Sequence, residues 1–231
     1  MTKLLIFLAV WKRPEITEIC FMGINRLKKS RLFDIEAFAV ISEASMAGLC
    51  SKYGINYCFH ENQPLGEKKN FGLGQAMEFE WDYTVEMGSD DVLKDEYLSY
   101  IAPHIGREMI GINNVAYINT ETGDCREYQT NDSFGMGRAV KRSVFERWGT
   151  NVWNPNINRG LDGSSNLFFG RRGVMEKKIK CSEPVGIDIK SPTNIWPFRY
   201  DIGKEYDIEK ALSGLSEGEK EGIKNLIHVT V

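Results

Sequence analysis

Asp90 and Asp91 are adjacent carboxylates that follow an apolar, β-branched run in YTVEMGSDDVL. Such a pair at a strand end can hold a hard divalent cation, which often takes only one or two carboxylates and completes its shell with phosphate and water. The same residues can instead turn the chain and cap the helix predicted over EYLSYI. In PLGEKKNFGL, Lys68, Lys69 and Asn70 open another helix. A helix N-terminus already favours anions, so lysines there exceed what the dipole asks for, and an anionic ligand accounts for them; a solvated helix face is the alternative. The loop VWKRPE offers Trp11 for stacking on a base and Arg13 for a phosphate or a base edge. In GMGRAVKRS, Gly135 and Gly137 let backbone pass close to a sugar, and Arg138 brings a cation for phosphate. Asp162 in RGLDGSSN stands at a helix start, either as a cap or as a carboxylate able to accept a proton. His60, His104 and His228 lack metal-ligand spacing, and neither a GxSxG nor a P-loop occurs, which removes the commonest hydrolase and kinase readings.

These groups need elements to position them. Apolar runs predict strands over 3–10, 34–41, 55–61 and 83–87, and helical stripes fall over 15–27, around 46–50 and over 66–79. Alternation of this kind, with continuous apolar strands, implies an α/β fold: a mostly parallel central sheet flanked by helices. In such sheets the ligand lies at the carboxyl ends of the strands, where the loops beginning at Trp11, Ser42, Glu61 and Gly88 emerge. A helix over 95–105 follows. VAYIN and CREYQ then flank TETGD as a hairpin, SFGMGRAV reads as a Gly-rich strand, and a short helix ends in FERWG. KKIKC and VGIDIKS predict late strands, and 207–227 predicts one amphipathic, charge-dense helix. With no repeat and no low-complexity linker, the reading is one domain over 1–231. It comprises a nucleotide-type half (about 1–93), an acceptor-type half (about 94–200) and a C-terminal helical segment (about 201–231).

The chain has 231 residues, 42% hydrophobic and 26% charged, enough to bury a full core within one large domain. A net charge of −3 provides no global field toward nucleic acid or anionic membrane. Five scattered cysteines without a C-x-x-C pair suggest neither a disulfide framework nor a zinc site and fit a reducing cytoplasm. LLIFLAV is too short to span a bilayer, so the expectation is a cytoplasmic protein without integral membrane association, at most peripheral to a membrane.

The order FLAVWKRPE, ENQPLGEKKNFGL, YTVEMGSDDVL, GMGRAVKRSVFERWG, RGLDGSSN resembles the GT-A fold glycosyltransferases, especially the family 2-like group. The resemblance covers roughly 3–190 and lies in the order and spacing of short motifs. It implies a Rossmann-like nucleotide-binding half joined to an acceptor-binding half. It also implies a metal-dependent, hexosyltransferase-type enzyme that moves a sugar from a nucleoside-diphosphate sugar to an acceptor hydroxyl, with inversion. Carried onto this chain, it makes Asp91 the ligand of Mn²⁺ or Mg²⁺ in a DXD-like motif, with Asp90 supporting the donor. Lys68, Lys69 and Asn70 would touch the donor nucleotide, Trp11, Arg13 and Glu43 would recognise the nucleoside, and Gly137 and Arg138 would approach the sugar and phosphate. Asp162 becomes the catalytic base, and Asp188 or Lys190, in DIKSPTNIW, would reach the metal or diphosphate, where a plain edge strand is the alternative. Two departures stand out: Gly88 occupies a place where the family often has an acid, and Leu161 precedes Asp162 where the family has a second acid.

Two other readings share the pattern. A nucleotidyltransferase would use a similar domain and a metal-bound carboxylate, although VWKRPEI lacks the glycines of its usual phosphate loop. A non-catalytic nucleotide- or sugar-binding module would keep the fold alone. The acceptor is left open among a saccharide, a protein and a hydroxymethylated DNA base; the acidic net charge leans against the last, although KKIK and GRR could form a local basic strip.

Overall fold

KLLIFLAV forms strand β1 (Lys3–Val10), and its side-chain alternation divides it between two cores. Leu4, Ile6, Leu8 and Val10 face one, with Phe21, Ile24 and Leu27, while Leu5 and Phe7 face the other, with Trp81, Phe145 and Trp153. Each such side chain contributes roughly 1.5–3 kcal/mol when fully buried, which is why a strand apolar on both faces settles at the centre of a sheet. In this computed structural model, which describes residues 1–228, the chain continues through α1 (Pro14–Leu27), β2 (Asp34–Ile41), α2 (Ser45–Lys52), β3 (Asn56–Phe59), α3 (Leu65–Ala76) and β4 (Tyr83–Gly88). Then follow β5 (Asp91–Leu93), α4 (Asp95–Ile101), β6 (Met109–Ile112), β7 (Asn114–Asn119), β8 (Cys125–Gln129), β9 (Ala139–Lys141), α5 (Arg142–Trp148) and α6 (Leu161–Arg171). The last elements are β10 (Glu176–Ile179), β11 (Gly186–Lys190), β12 (Lys204–Glu205), α7 (Ile208–Leu212) and α8 (Glu217–His228).

The larger sheet has the order β10-β6-β9-β4-β1-β2-β3. The β4-β1-β2-β3 portion is parallel, and β9 runs antiparallel between β4 and β6. A second sheet, β12-β8-β7-β11-β5, is mixed. Because β6, β9 and β10 join the larger sheet, the second half of the chain builds part of the first half's framework.

The chain changes sheets at Gly88–Asp91: β4 ends in the larger sheet and β5 begins in the smaller one. Strand β5 pairs antiparallel with β11, in a register that sets Asp91 opposite Asp188. This short strand and β6 have no counterpart among the elements predicted from periodicity. Helix α4 begins after Lys94 with no side-chain cap, so neither Asp90 nor Asp91 caps it. The expected SFGMGRAV strand reduces to Ala139–Lys141, because Gly137 adopts φ +71° and breaks the extended run. The hairpin over VAYIN and CREYQ is present as β7 and β8. The tail is two helices with a break at Gly214, φ +80°, and residues 229–231 of that segment lie outside the described residues. Helix α8 is clamped to α1 by Arg26, whose Nε and Nη2 donate to the buried Glu219 carboxylate at 2.8 and 3.0 Å. All five cysteines are unpaired. Among the described residues, no helix is long and apolar enough to cross a membrane.

Candidate functional site

The carboxyl ends of β1 and β4, the β5–β11 pair and the N-terminus of α6 enclose a cleft of about 660 Å³. Its walls include Trp11, Arg13, Lys69, Asp90, Asp91, Asp162, Asp188 and Lys190.

Asp91 is buried in this wall, and its carboxylate accepts from the Gly88 backbone N–H. Burial raises its pKa well above the usual carboxylate range, and the negative charges of Asp188 and Asp90 push it further in the same direction. Asp188 is pushed up to about 6, chiefly by burial, against the opposing pull of Lys190, whose Nζ lies 2.5 Å from Oδ2. Its other oxygen, Oδ1, is buried without a hydrogen-bond partner. Like charges set opposite each other across two strands are destabilising, so this arrangement calls for positive charge. Among the described residues no group of three or more His, Cys, Asp or Glu side chains is set to hold a metal ion by itself. Two carboxylates with an orphaned oxygen nevertheless fit a cation that draws its remaining ligands from phosphate and water.

Asp90 is held differently. Arg13 Nη1 donates to its Oδ2 at 3.1 Å and Asn194 Nδ2 donates to the same oxygen at 2.6 Å. Arg13 also donates to Asn194 Oδ1 at 2.8 Å and to Ser89 Oγ at 3.3 Å. Lys12 and Arg13 both have left-handed backbones, φ +54° and +55°, a conformation that costs a non-glycine residue about 1–3 kcal/mol. It sets the start of α1 beside the acidic turn. Gly88 leaves room for the carboxylates that follow: a Cβ there would stand 2.6 Å from Asp90 Oδ1 and 3.1 Å from Asp91 Oδ2, so both would have to shift. The acid that the family often has at this place would displace the two carboxylates that follow it.

Across the cleft, Asp162 lies in the first turn of α6, whose N-cap is Gly160, so Asp162 does not cap the helix. Its Oδ2 accepts from the Gly135 N–H at 3.1 Å. Glycine at 135 lets the Asp162 carboxylate sit where it does, since a Cβ would come within 2.3 Å of it and push it away.

Other expected site residues stand behind the wall instead of on it. Lys68 is fully buried and donates to Ser42 Oγ at 2.6 Å, to Asn62 Oδ1 at 3.1 Å and to the Val10 carbonyl, tying together the carboxyl ends of β1 and β2 and the loop after β3. Burial draws its pKa down to about 8, while Glu43 favours the charge. Asn70 spends both ends of its amide on the Trp153 backbone, donating at 2.7 Å and accepting at 3.0 Å. Glu43 accepts from the Lys12 N–H at 3.3 Å and is not among the lining residues. Gly137 packs against Ile112 and Tyr97, and Arg138 is wholly buried against Ser165 and Glu86. None of these five lines the cleft in this structure, and the side-chain polar atoms of Lys68 and Asn70 are taken up by the protein itself. Of the two lysines only Lys69 reaches the cleft, paired with Glu86 and 4.3 Å above the Trp153 ring.

Several lining residues were not singled out from the sequence. Asn62, Asn194, Trp196 and Arg199 come from loops, and Tyr117 and Tyr128 from β7 and β8. Trp196, about half exposed (48%), is the one with a readable signal, as a tryptophan in an irregular Pro-containing segment.

No family model matches the sequence. No curated protein matches it either. Solved structures do match in shape. S. aureus TarS 1-349 aligns over 82% of this chain and 60% of its own, at 9% identity and a TM-score of 0.53. The same protein in complex with UDP aligns over 100% of this chain and 70% of its own, at 12% identity and a TM-score of 0.55. CMP:2-keto-3-deoxy-manno-octonic acid synthetase complexed with CTP aligns over 78% of this chain and 90% of its own, at 10% identity and a TM-score of 0.50. At these identities the likeness is one of fold: the chain has a GT-A-like α/β architecture, as its motif order implied.

Proposed function

We propose that this protein is a metal-dependent glycosyltransferase that moves a sugar from a nucleotide-sugar donor to an acceptor hydroxyl with inversion. The observation that carries the reading is the meeting of Asp91 and Asp188, buried and mutually repelling, in one cleft with Asp162. The fold shared with UDP-complexed TarS supports a uridine-type or related nucleotide in that cleft.

Asp91 and Asp188 would hold Mn²⁺ or Mg²⁺, which when bound neutralises the diphosphate as it departs. Trp11 offers a face for the base, and Lys69 adds positive charge beside the phosphates. Asp90, fixed by Arg13 and Asn194, supports the donor. In the displacement the acceptor oxygen bonds to the anomeric carbon, the bond from that carbon to the diphosphate breaks, and the hydroxyl proton passes to Asp162. The Gly135 N–H bond holds that carboxylate in place for the transfer.

Nucleotidyl transfer is the second reading, favoured by the likeness to the CTP-complexed synthetase. The first loop argues against it, since Lys12 and Arg13 occupy backbone positions where a phosphate loop would use glycine. Incubation with a panel of nucleotide-sugars, acceptors and Mn²⁺ separates the two. Release of nucleoside diphosphate with a glycosylated product, abolished by chelator, is expected. Release of pyrophosphate from a nucleoside triphosphate would favour the second reading instead.

A further inference from the structure

Arg138 is 0% exposed, and a buried guanidinium is costly unless its geometry is used. Its Nη1 donates to Ser165 Oγ at 2.7 Å, and Ser165 Oγ in turn donates to the Asp162 backbone carbonyl at 3.0 Å. The same guanidinium lies 3.7 Å from Glu86, whose other oxygen is held by Lys69 in the cleft wall. One buried cation thus touches both sides of the cleft from behind: the β4 side through Glu86 and the α6 side through Ser165.

Arg138 Nε and Nη2 and the indole Nε1 of Trp153 are buried donors without partners. Arg138, Glu86, Thr84 and Trp153 border a small chamber of about 10 Å³ among apolar side chains. That is about one water's worth of space. A monatomic anion such as chloride is larger and would face the Glu86 carboxylate, whereas a water could accept from two of the three orphaned donors and donate to Glu86.

We propose that Arg138 is a positioning residue: through Ser165 it fixes the first turn of α6 and hence Asp162, and one trapped water joins it to Glu86. The inference rests on Asp162 being the proton acceptor. A different origin for Arg138, mere filling of the core, predicts a loss of stability without any selective effect on Asp162.

Ser165→Ala severs the link while leaving the guanidinium in place. It is expected to lower kcat by about 10- to 100-fold with donor KM unchanged, the scale of loss from small misplacement of a reacting group. In an Asp162→Asn background the same substitution should cost nothing more, because the group it positions has gone. An equal fold-loss in both backgrounds, or an unchanged kcat in the single variant, overturns the proposal. Amide hydrogen exchange gives a readout free of the reaction. The amides of residues 164–166, the first of α6 with helical partners, should exchange faster in Ser165→Ala and in Arg138→Met while the β1 amides stay protected; unchanged exchange there overturns the proposal even if no turnover is found. Absence of turnover by the wild type, with the exchange result as expected, would instead count against the glycosyltransferase reading. A high-resolution crystal structure soaked in bromide should show a single water in the chamber, and an anomalous halide peak there overturns the water bridge.

Discussion

Lys68 and Asp91 are both buried ionisable groups, Lys68 reaching from α3 to the carboxyl ends of β1 and β2 and Asp91 opening β5 where the chain changes sheets, yet their surroundings are opposite. Lys68 has three donors and three oxygen acceptors, and Glu43 favours its charge. Asp91 has one backbone donor and two acidic neighbours, offset only in part by Lys190, and one of those neighbours, Asp188, has an unmatched oxygen of its own. Buried polar groups in proteins are nearly always satisfied. Lys68 therefore belongs to the architecture, and the unmatched Asp188 oxygen beside Asp91 marks the place where a ligand can supply what the protein does not.

That contrast is broken most directly at Asp91. Asp91→Asn keeps an acceptor for the Gly88 N–H and removes one repelling charge, so thermal stability without metal should hold or rise. The thermal shift produced by Mn²⁺ should vanish, and turnover should fall about a thousandfold, the several kcal/mol that metal-assisted charge neutralisation supplies. A variant that still shows the Mn²⁺ shift would place the cation elsewhere. Asp162→Asn should lower kcat roughly 100-fold or more, the range for loss of a general base, while calorimetry finds nucleotide binding unchanged. Weakened nucleotide binding would make Asp162 a donor ligand and remove it from the proton transfer.

Lys68→Met should act on stability and leave the cation site intact. It strands three acceptors, at a cost on the order of 1–3 kcal/mol in chemical denaturation. Its pH dependence has a definite sign. The folded pKa of about 8 lies below the reference value of 10.5, so the unfolded chain holds more protons between these values, and the lysine's contribution to stability rises with pH through that window. The deficit of the Met variant relative to wild type should therefore widen from pH 8 to pH 10.5, by at most on the order of 3 kcal/mol. A deficit that narrows would contradict a buried ammonium. The smallest effect is expected for Gly88→Ala. Its added Cβ meets the ends of side chains, which can shift, so stability should change little while Mn²⁺ affinity falls severalfold in titrations followed by thermal shift.

Much of the fold was legible because the parallel strands are apolar on both faces. β1 and β2 match the predicted 3–10 and 34–41, since such runs have one stable place, the centre of a covered sheet. Strand β5 was not legible. Three residues carry no period, and what makes Asp91–Leu93 a strand is pairing with β11, far along the chain. The Gly-rich segment misled for a related reason: its β-like composition is overruled by the positive φ of Gly137, where a Cβ would also crowd Tyr97 and Ile112.

The site divides in the same way. The sequence by itself determined that Asp90 and Asp91 follow a strand, that Asp162 opens a helix and that a cationic helix start at Lys68 and Lys69 precedes both, because these depend on local pattern. Only the tertiary structure decided that Asp188 opposes Asp91 and that Lys69 reaches the cleft while Lys68 does not. Successive residues on a helix point about 100° apart, so adjacent lysines must face different surroundings. Which of them meets the ligand depends on how α3 is seated against the sheet, and that is set by long-range packing that no local stretch of sequence encodes.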